Sequence, residues 1–162
     1  MRYLVVSDTH GDLRCLFRAM DYLRALKPDA LIHLGDFCGD GRLLQKELDV
    51  PLYAVAGNCD GAMGADAQQV IQEQRVNILL CHGHQYGVGG DVQRLLYAAQ
   101  ERDCAVALFG HTHMPYLERE QGVLLMNPGS LCRPRVSQAG VGLLTVEKGS
   151  AKGLLLPYCD AM

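Results

Sequence analysis

No run of apolar residues in this 162-residue chain approaches the roughly 20 needed to span a bilayer. Basic charge is not in excess either: 15 lysines and arginines stand against 18 acidic residues, a net charge of −3. A large nucleic-acid-binding face therefore has no support. Cysteine pairs of the C-x-x-C kind are absent, which excludes a zinc ribbon. The seven cysteines (15, 38, 59, 81, 104, 132 and 159) are odd in number, and several lie in apolar contexts where a free thiol behaves as a small hydrophobe. A reducing compartment suits them better than a disulfide framework. There is no internal repeat, linker or low-complexity tract, and the chain enters its first strand without a signal-peptide pattern. These absences predict a soluble, cytoplasmic protein folded as one domain over 1–162. An apolar fraction of 49% and a charged fraction of 20% are ordinary for a chain with a substantial core.

What is present is a rhythm of apolar runs that end in polar turns. Residues 3–6 predict a buried strand, after which Asp8 and His10 follow two apart. In extended backbone such residues project to one side, so Asp-x-His can grip one cation from one face. Gly11 permits a sharp turn, and Asp12 suits the N-cap of a helix over 13–26, with apolar positions 13, 16, 17, 20, 23 and 26. A second strand over 30–34 delivers Gly35-Asp36, and a short helix over 42–48 follows. A third strand over 52–56 delivers Gly57-Asn58-Cys59-Asp60, and residues 61–70 read as a loop. A fourth over 76–80 ends in Cys81-His82-Gly83-His84, followed by a helix over 91–102. A fifth over 104–109 ends in Gly110-His111-Thr112-His113. A strand-like run over 123–126 leads into Asn127-Pro128-Gly129-Ser130, and the tail, 141–146 with 152–156, predicts a hairpin. Strands joined by helices favour a largely parallel sheet, and the tail predicts a second, more antiparallel sheet against it.

Five strand ends thus offer Asp8 and His10, Asp36, Asn58, His82, and His111 with His113. Imidazole, carboxylate and amide without thiolate suit Mn, Fe, Zn, Ni or Co better than a structural zinc site. Seven ligands exceed what one tetrahedral ion takes and fit two ions sharing a carboxylate. Such a pair, about 3.5–4 Å apart, suits in-line displacement at phosphate esters by hydroxide generated from a bridging water.

In order and spacing, Asp8-x-His10, Gly35-Asp36, Gly57-Asn58-x-Asp60, His82-Gly83-His84 and Gly110-His111-x-His113 resemble the five motifs of the calcineurin-like metallophosphoesterases. The likeness covers nearly the whole chain and extends to the Asn-Pro-Gly-Ser turn of the small YfcE-type phosphodiesterase branch. It implies an α/β fold of two packed mixed β-sheets flanked by helices, with the site at the strand ends. It also implies that Asp8, His10 and His113 hold one divalent ion, that Asn58, His82 and His111 hold another, and that Asp36 bridges, with manganese the leading metal. Asp36, Asn58, His82 and Asp60 would carry the catalysis.

The wider superfamily often has histidine where this chain has Cys59. A thiol with a pKa near about 8.5 is a poor substitute for imidazole in protonating a leaving group. This favours a small phosphodiester over a monoester, with Cys59 as a substrate-side residue. Two readings stand for His84, behind the ligands or facing substrate, and two for Asp60, orienting Asn58 or an ordinary turn residue. Arg133, like Arg135, either contacts a substrate phosphate or sits in a solvated loop, while His33 lies inside an apolar strand and is left out. A metal-binding scaffold of the same fold, a nuclease and a phosphomonoesterase are the alternatives. A homo-oligomer is compatible with the sequence; membrane partners are not expected.

Overall fold

The computed structural model describes residues 1–61 and 64–159. Two five-stranded mixed sheets carry the architecture, the first parallel along one side and antiparallel along the other, the second with a parallel centre and antiparallel edges. In the first, β1 (Arg2–Val6) pairs in parallel with β2 (Ala30–His33), and β2 with β3 (Leu52–Ala54). In the second, β5 (Val76–Cys81), β6 (Val106–Leu108) and β8 (Val123–Pro128) run parallel, flanked by β4 (Gln68–Glu73) and β7 (Pro115–Glu120). The strand period of two divides each central strand between two cores. On β1, Tyr3 and Val5 face the second sheet and pack with Ile78, Leu80, Leu108 and Met126. Leu4 and Val6 point the other way, under Leu16, Met20 and Leu23 of α1 (Leu13–Ala25) and Leu44 of α2 (Cys38–Leu48). On the far side Leu79 and Ala107 meet Leu95, Leu96 and Ala99 of α3 (Gln93–Gln100). The expected α/β sandwich of two mixed sheets flanked by helices is the fold.

Several local expectations are corrected. The tail hairpin, β9 (Gly140–Glu147) and β10 (Ser150–Pro157), does not start a second sheet; β9 adds antiparallel to the free edge of β1, with Tyr3 opposite Leu144. β4 and β7, unforeseen from the sequence, are edge strands with mostly polar faces; Ile71 is the buried residue of β4. Part of the presumed loop over 61–70 is therefore strand, and positions 62 and 63 of it lie outside the described residues. Helix α2 starts four residues earlier than expected, against two glycines in its first turn. Asp60 explains this, because its Oδ1 accepts the N–H groups of Phe37 (2.7 Å) and Cys38 (2.8 Å) at the helix start. In α1, Asp12 caps as expected, accepting the Cys15 N–H at 3.0 Å, but Leu13 and Phe17 stay exposed instead of joining the buried face. The cysteines, expected to suit a reducing compartment better than a disulfide framework, include one bonded pair: five are free, and Cys15 and Cys132 form a disulfide. It ties α1 to the loop behind Ser130.

Candidate metal centre

The expected site residues leave the carboxyl ends of β1, β2, β5 and β6 and the turn after β3, where a sheet of this kind places ligands. The backbone there is held in an unfavourable region. Asp8, His10, Asp36, His111 and His113 all have φ between 54° and 69°. A left-handed conformation costs a non-glycine residue on the order of 1–3 kcal/mol, and such strain collects at functional sites. Two glycines let the loops close in. A Cβ on Gly57 would overlap Asp36 Oδ1, and one on Gly110 would overlap Ser7 Oγ and come within 2.8 Å of Asp8 Oδ2.

Asp8 is fully buried. Its Oδ2 accepts from Ser7 Oγ–H (2.6 Å) and from the His111 N–H (3.0 Å). Its Oδ1 has no hydrogen-bond partner, and faces the Nε2 atoms of His113 (3.3 Å), His82 (3.9 Å) and His10 (4.0 Å). Burial pushes the Asp8 carboxyl up, but His113 and Ser7 outweigh it and hold it below the usual carboxylate range. The imidazoles are set by carbonyls behind them. His82 Nδ1–H donates to Leu34 O at 2.7 Å and His113 Nδ1–H to Arg133 O at 2.6 Å, which turns both Nε2 lone pairs inward. His82 Nε2 is buried and unpartnered, 3.4 Å from Asp36 Oδ1. Asp36 Oδ1 accepts the Cys59 N–H at 3.0 Å, and its Oδ2 lies 3.5 Å from His10 Nε2.

Carboxylate oxygens and imidazole nitrogens converge here: His10 Nε2 and His113 Nε2 lie 3.2 Å apart, while Asp8 Oδ1 and His82 Nε2 are buried with no hydrogen-bond partner, an arrangement that a cation would satisfy. Asp8, His10, Asp36 and His113 offer ligand atoms that all lie within 4.8 Å of one another. Asp36 links this group to a second, in which the ring of His82 lies 5.2 Å from that of His111 and 5.4 Å from that of His84. Burial and the neighbouring His82 keep His111 and His84 below the ordinary imidazole pKa, so both are neutral ligand-type rings near pH 7. The contact with Asp8 raises that of His113.

Of the expected residues, the structure brings Asp8, His10, Asp36, His82, His111 and His113 together. Asn58 stands exposed at the rim, its Nδ2 donating to Cys59 Sγ at 3.7 Å. Asp60 is spent on the backbone: its Oδ2 also accepts the Gly57 N–H at 2.7 Å, so it clamps the turns that carry Asp36 and Asn58. Cys59 and His84 are exposed beside the site, and Arg133 is exposed with its carbonyl committed to His113.

Sequence reasoning missed the braces beneath. His33 is fully buried; it accepts the Gly35 N–H at Nδ1 (3.3 Å) and donates from Nε2 to Thr9 Oγ1 (3.0 Å), joining the two loops that carry Asp8 and Asp36. Asn127 donates to Gly110 O (2.9 Å), and Ser130 Oγ donates to Asp8 O (2.8 Å), so the Asn-Pro-Gly-Ser turn fastens the β6 loop and the β1 loop. An imidazole inside an apolar strand, opposite a polar turn, is the signal that could have found His33.

Comparison with known proteins identifies the family of the chain. A probable metallophosphoesterase of Bacillus subtilis, YsnB, is 33% identical over 153 residues, covering 93% of this chain and 88% of its own. The phosphodiesterase YfcE of Escherichia coli K12 is 28% identical over 158 residues, covering 83% and 82%. The crystal structure of Entamoeba histolytica Vps29 complexed with Zn2+ shares the fold at a TM-score of 0.76 and 24% identity, over 95% of this chain and 97% of that one. The family model for the calcineurin-like phosphoesterase superfamily domain matches residues 1–149. The chain belongs to the calcineurin-like phosphoesterase superfamily.

Proposed function

We propose that this protein is a phosphodiesterase that works with two divalent metal ions, manganese being the best match to a carboxylate and imidazole set, with Ni, Co, Fe or Zn able to replace it. The observation that carries the reading is the pair of buried, unpartnered atoms, Asp8 Oδ1 and His82 Nε2, 3.9 Å apart beside Asp36. In this reading Asp8, His10 and His113 would hold one ion and Asn58, His82 and His111 the other, with Asp36 shared between them. Two ions held there would supply Lewis acidity to the phosphoryl oxygens and lower the pKa of a water toward neutrality.

The chain's own residues do the rest. Leu34 and Arg133 carbonyls fix the imidazole tautomers, and Asp60 keeps the Asp36 and Asn58 turns in place. His84 and Arg133 stand where a substrate's phosphate approaches, His84 as a neutral ring and Arg133 as a fixed positive charge. Cys59 occupies the position from which a leaving group would be protonated. Burial, then the adjacent Asp36, pushes its thiol up, so it is a weak acid at neutral pH. Diesters whose leaving group departs unprotonated are therefore the preferred substrates. The reading keeps the protein in the cytoplasm.

The test uses protein stripped of metal and re-supplied in turn with Mn, Ni, Co, Zn and Mg, assayed on bis(4-nitrophenyl) phosphate and 4-nitrophenyl phosphate. Metal-dependent turnover of the diester over the monoester, lost in Asp36→Asn, is expected. Absence of turnover with every metal, or a clear monoester preference, would overturn the proposal.

A further inference from the structure

Phe37 follows the bridging Asp36 directly, and the mechanism above gives its side chain no role. It is 45% exposed although it is one of three phenylalanines in the chain. Its backbone has φ 79°, a genuine outlier for a bulky residue. The conformation is held, not incidental, since the Phe37 N–H is fixed to Asp60 Oδ1 at 2.7 Å. One edge of the ring closes on Gly11, where a Cβ would come within 2.9 Å of Cε1, and its centroid is 6.3 Å from that of His10. Beyond Gly11 the apolar surface continues: Leu13 is 49% exposed and Phe17, one turn further along the same face of α1, is 56% exposed. An acidic, imidazole-rich centre thus opens on one side onto a fixed aromatic surface with an apolar margin.

We infer that Phe37 is a stacking shelf for an aromatic arm of the ester, a nucleobase or aryl group, so that the site selects phosphodiesters carrying such an arm. The inference rests on the phosphodiesterase reading and adds the substrate class. A ring on the phosphate would reach Phe37 across His10; Asp60 fixes the Phe37 backbone and Gly11 meets one edge of its ring, which limits the side-chain freedom lost on binding. An offset or edge-on pair of this kind is worth roughly a two- to tenfold gain in affinity beyond the area it buries.

The test is calorimetric titration of phenylphosphonate and methylphosphonate into manganese-loaded wild type, Phe37→Ala, Phe37→Leu and Phe37→Trp. Metal content is counted in each preparation. Wild type is expected to prefer phenylphosphonate, with the preference falling about two- to tenfold in the Ala and Leu variants and kept or increased by Trp. Methylphosphonate affinity is expected to stay within about twofold throughout. The same phenyl-over-methyl ratio in wild type, Ala and Leu would overturn the shelf while leaving the phosphodiesterase reading standing. Failure of both phosphonates to bind the loaded wild type would overturn the reading itself.

Discussion

Replacing Asp60 by asparagine changes one atom and probes how much of the site is held from behind. The carboxylate accepts three backbone N–H groups at 2.7–2.8 Å, from Phe37, Cys38 and Gly57. Bonds to a charged acceptor contribute about 1.5–3 kcal/mol each, and neutral ones about 0.5–1.5. The amide keeps one oxygen, so it serves either the Phe37 and Cys38 pair or Gly57, and turns its NH2 against the donors it abandons. The net loss is about 2–4 kcal/mol. At about 2–4 °C per kcal/mol for a chain of this size, the melting temperature should fall by roughly 5–15 °C. The pH dependence has a definite sign. Burial alone would raise the Asp60 carboxyl, but the N–H groups of Gly57, Cys38 and Phe37 outweigh it and lower its pKa. Its contribution is therefore present above the unfolded value of about 3.9 and lost as pH falls through the folded one. Thermal melts of both proteins between pH 7 and pH 3 should show the gap narrowing at the acid end. A melting-temperature difference below about 2 °C at pH 7 would refute the reasoning.

Gly57→Ala puts a Cβ onto Asp36 Oδ1, so the carboxylate must move; manganese affinity by calorimetry should fall about 10–100-fold. Thr9→Val removes the acceptor of the buried His33 Nε2–H with little change of shape, and should cost about 1–3 kcal/mol of stability in denaturant titrations together with a loss of metal affinity. Unaltered affinity in either variant would contradict the bracing assigned to these loops. Cys59→His should raise the monoester-to-diester rate ratio on matched aryl phosphates, and equal ratios in the two proteins would reject the leaving-group argument.

What the sequence made legible is tied to strong local patterns. The central strands are apolar runs followed at once by glycine and ligand-type residues, so β1, β2, β5 and β6 and the residues beyond them could be read directly. Edge strands escaped because their exposed faces leave little alternation: β4 is Gln-Gln-Val-Ile-Gln-Glu, with Ile71 buried, and β7 opens on a proline. The start of α2 escaped because its cap is supplied by Asp60, 22 residues away from Cys38. The placement of the tail hairpin and the Cys15–Cys132 bond, across a sequence separation of 117, are decided by which surfaces meet in three dimensions. Within the site, residue types and spacing gave the inward-facing groups. The second ring of support, from His33, Thr9, Asn127 and the Leu34 and Arg133 carbonyls, depends on loop geometry that no local pattern encodes.

Counting metal ions on the intact protein is the most direct test of the centre. Native mass spectrometry of the manganese-loaded chain, before and after Asp36→Asn and Asp8→Asn, reads occupancy without recourse to any substrate. Two ions per wild-type chain are predicted, with loss of at least one ion in each variant. A wild type that binds one ion or none at saturating manganese, or variants that keep both, would contradict a two-ion centre bridged by Asp36.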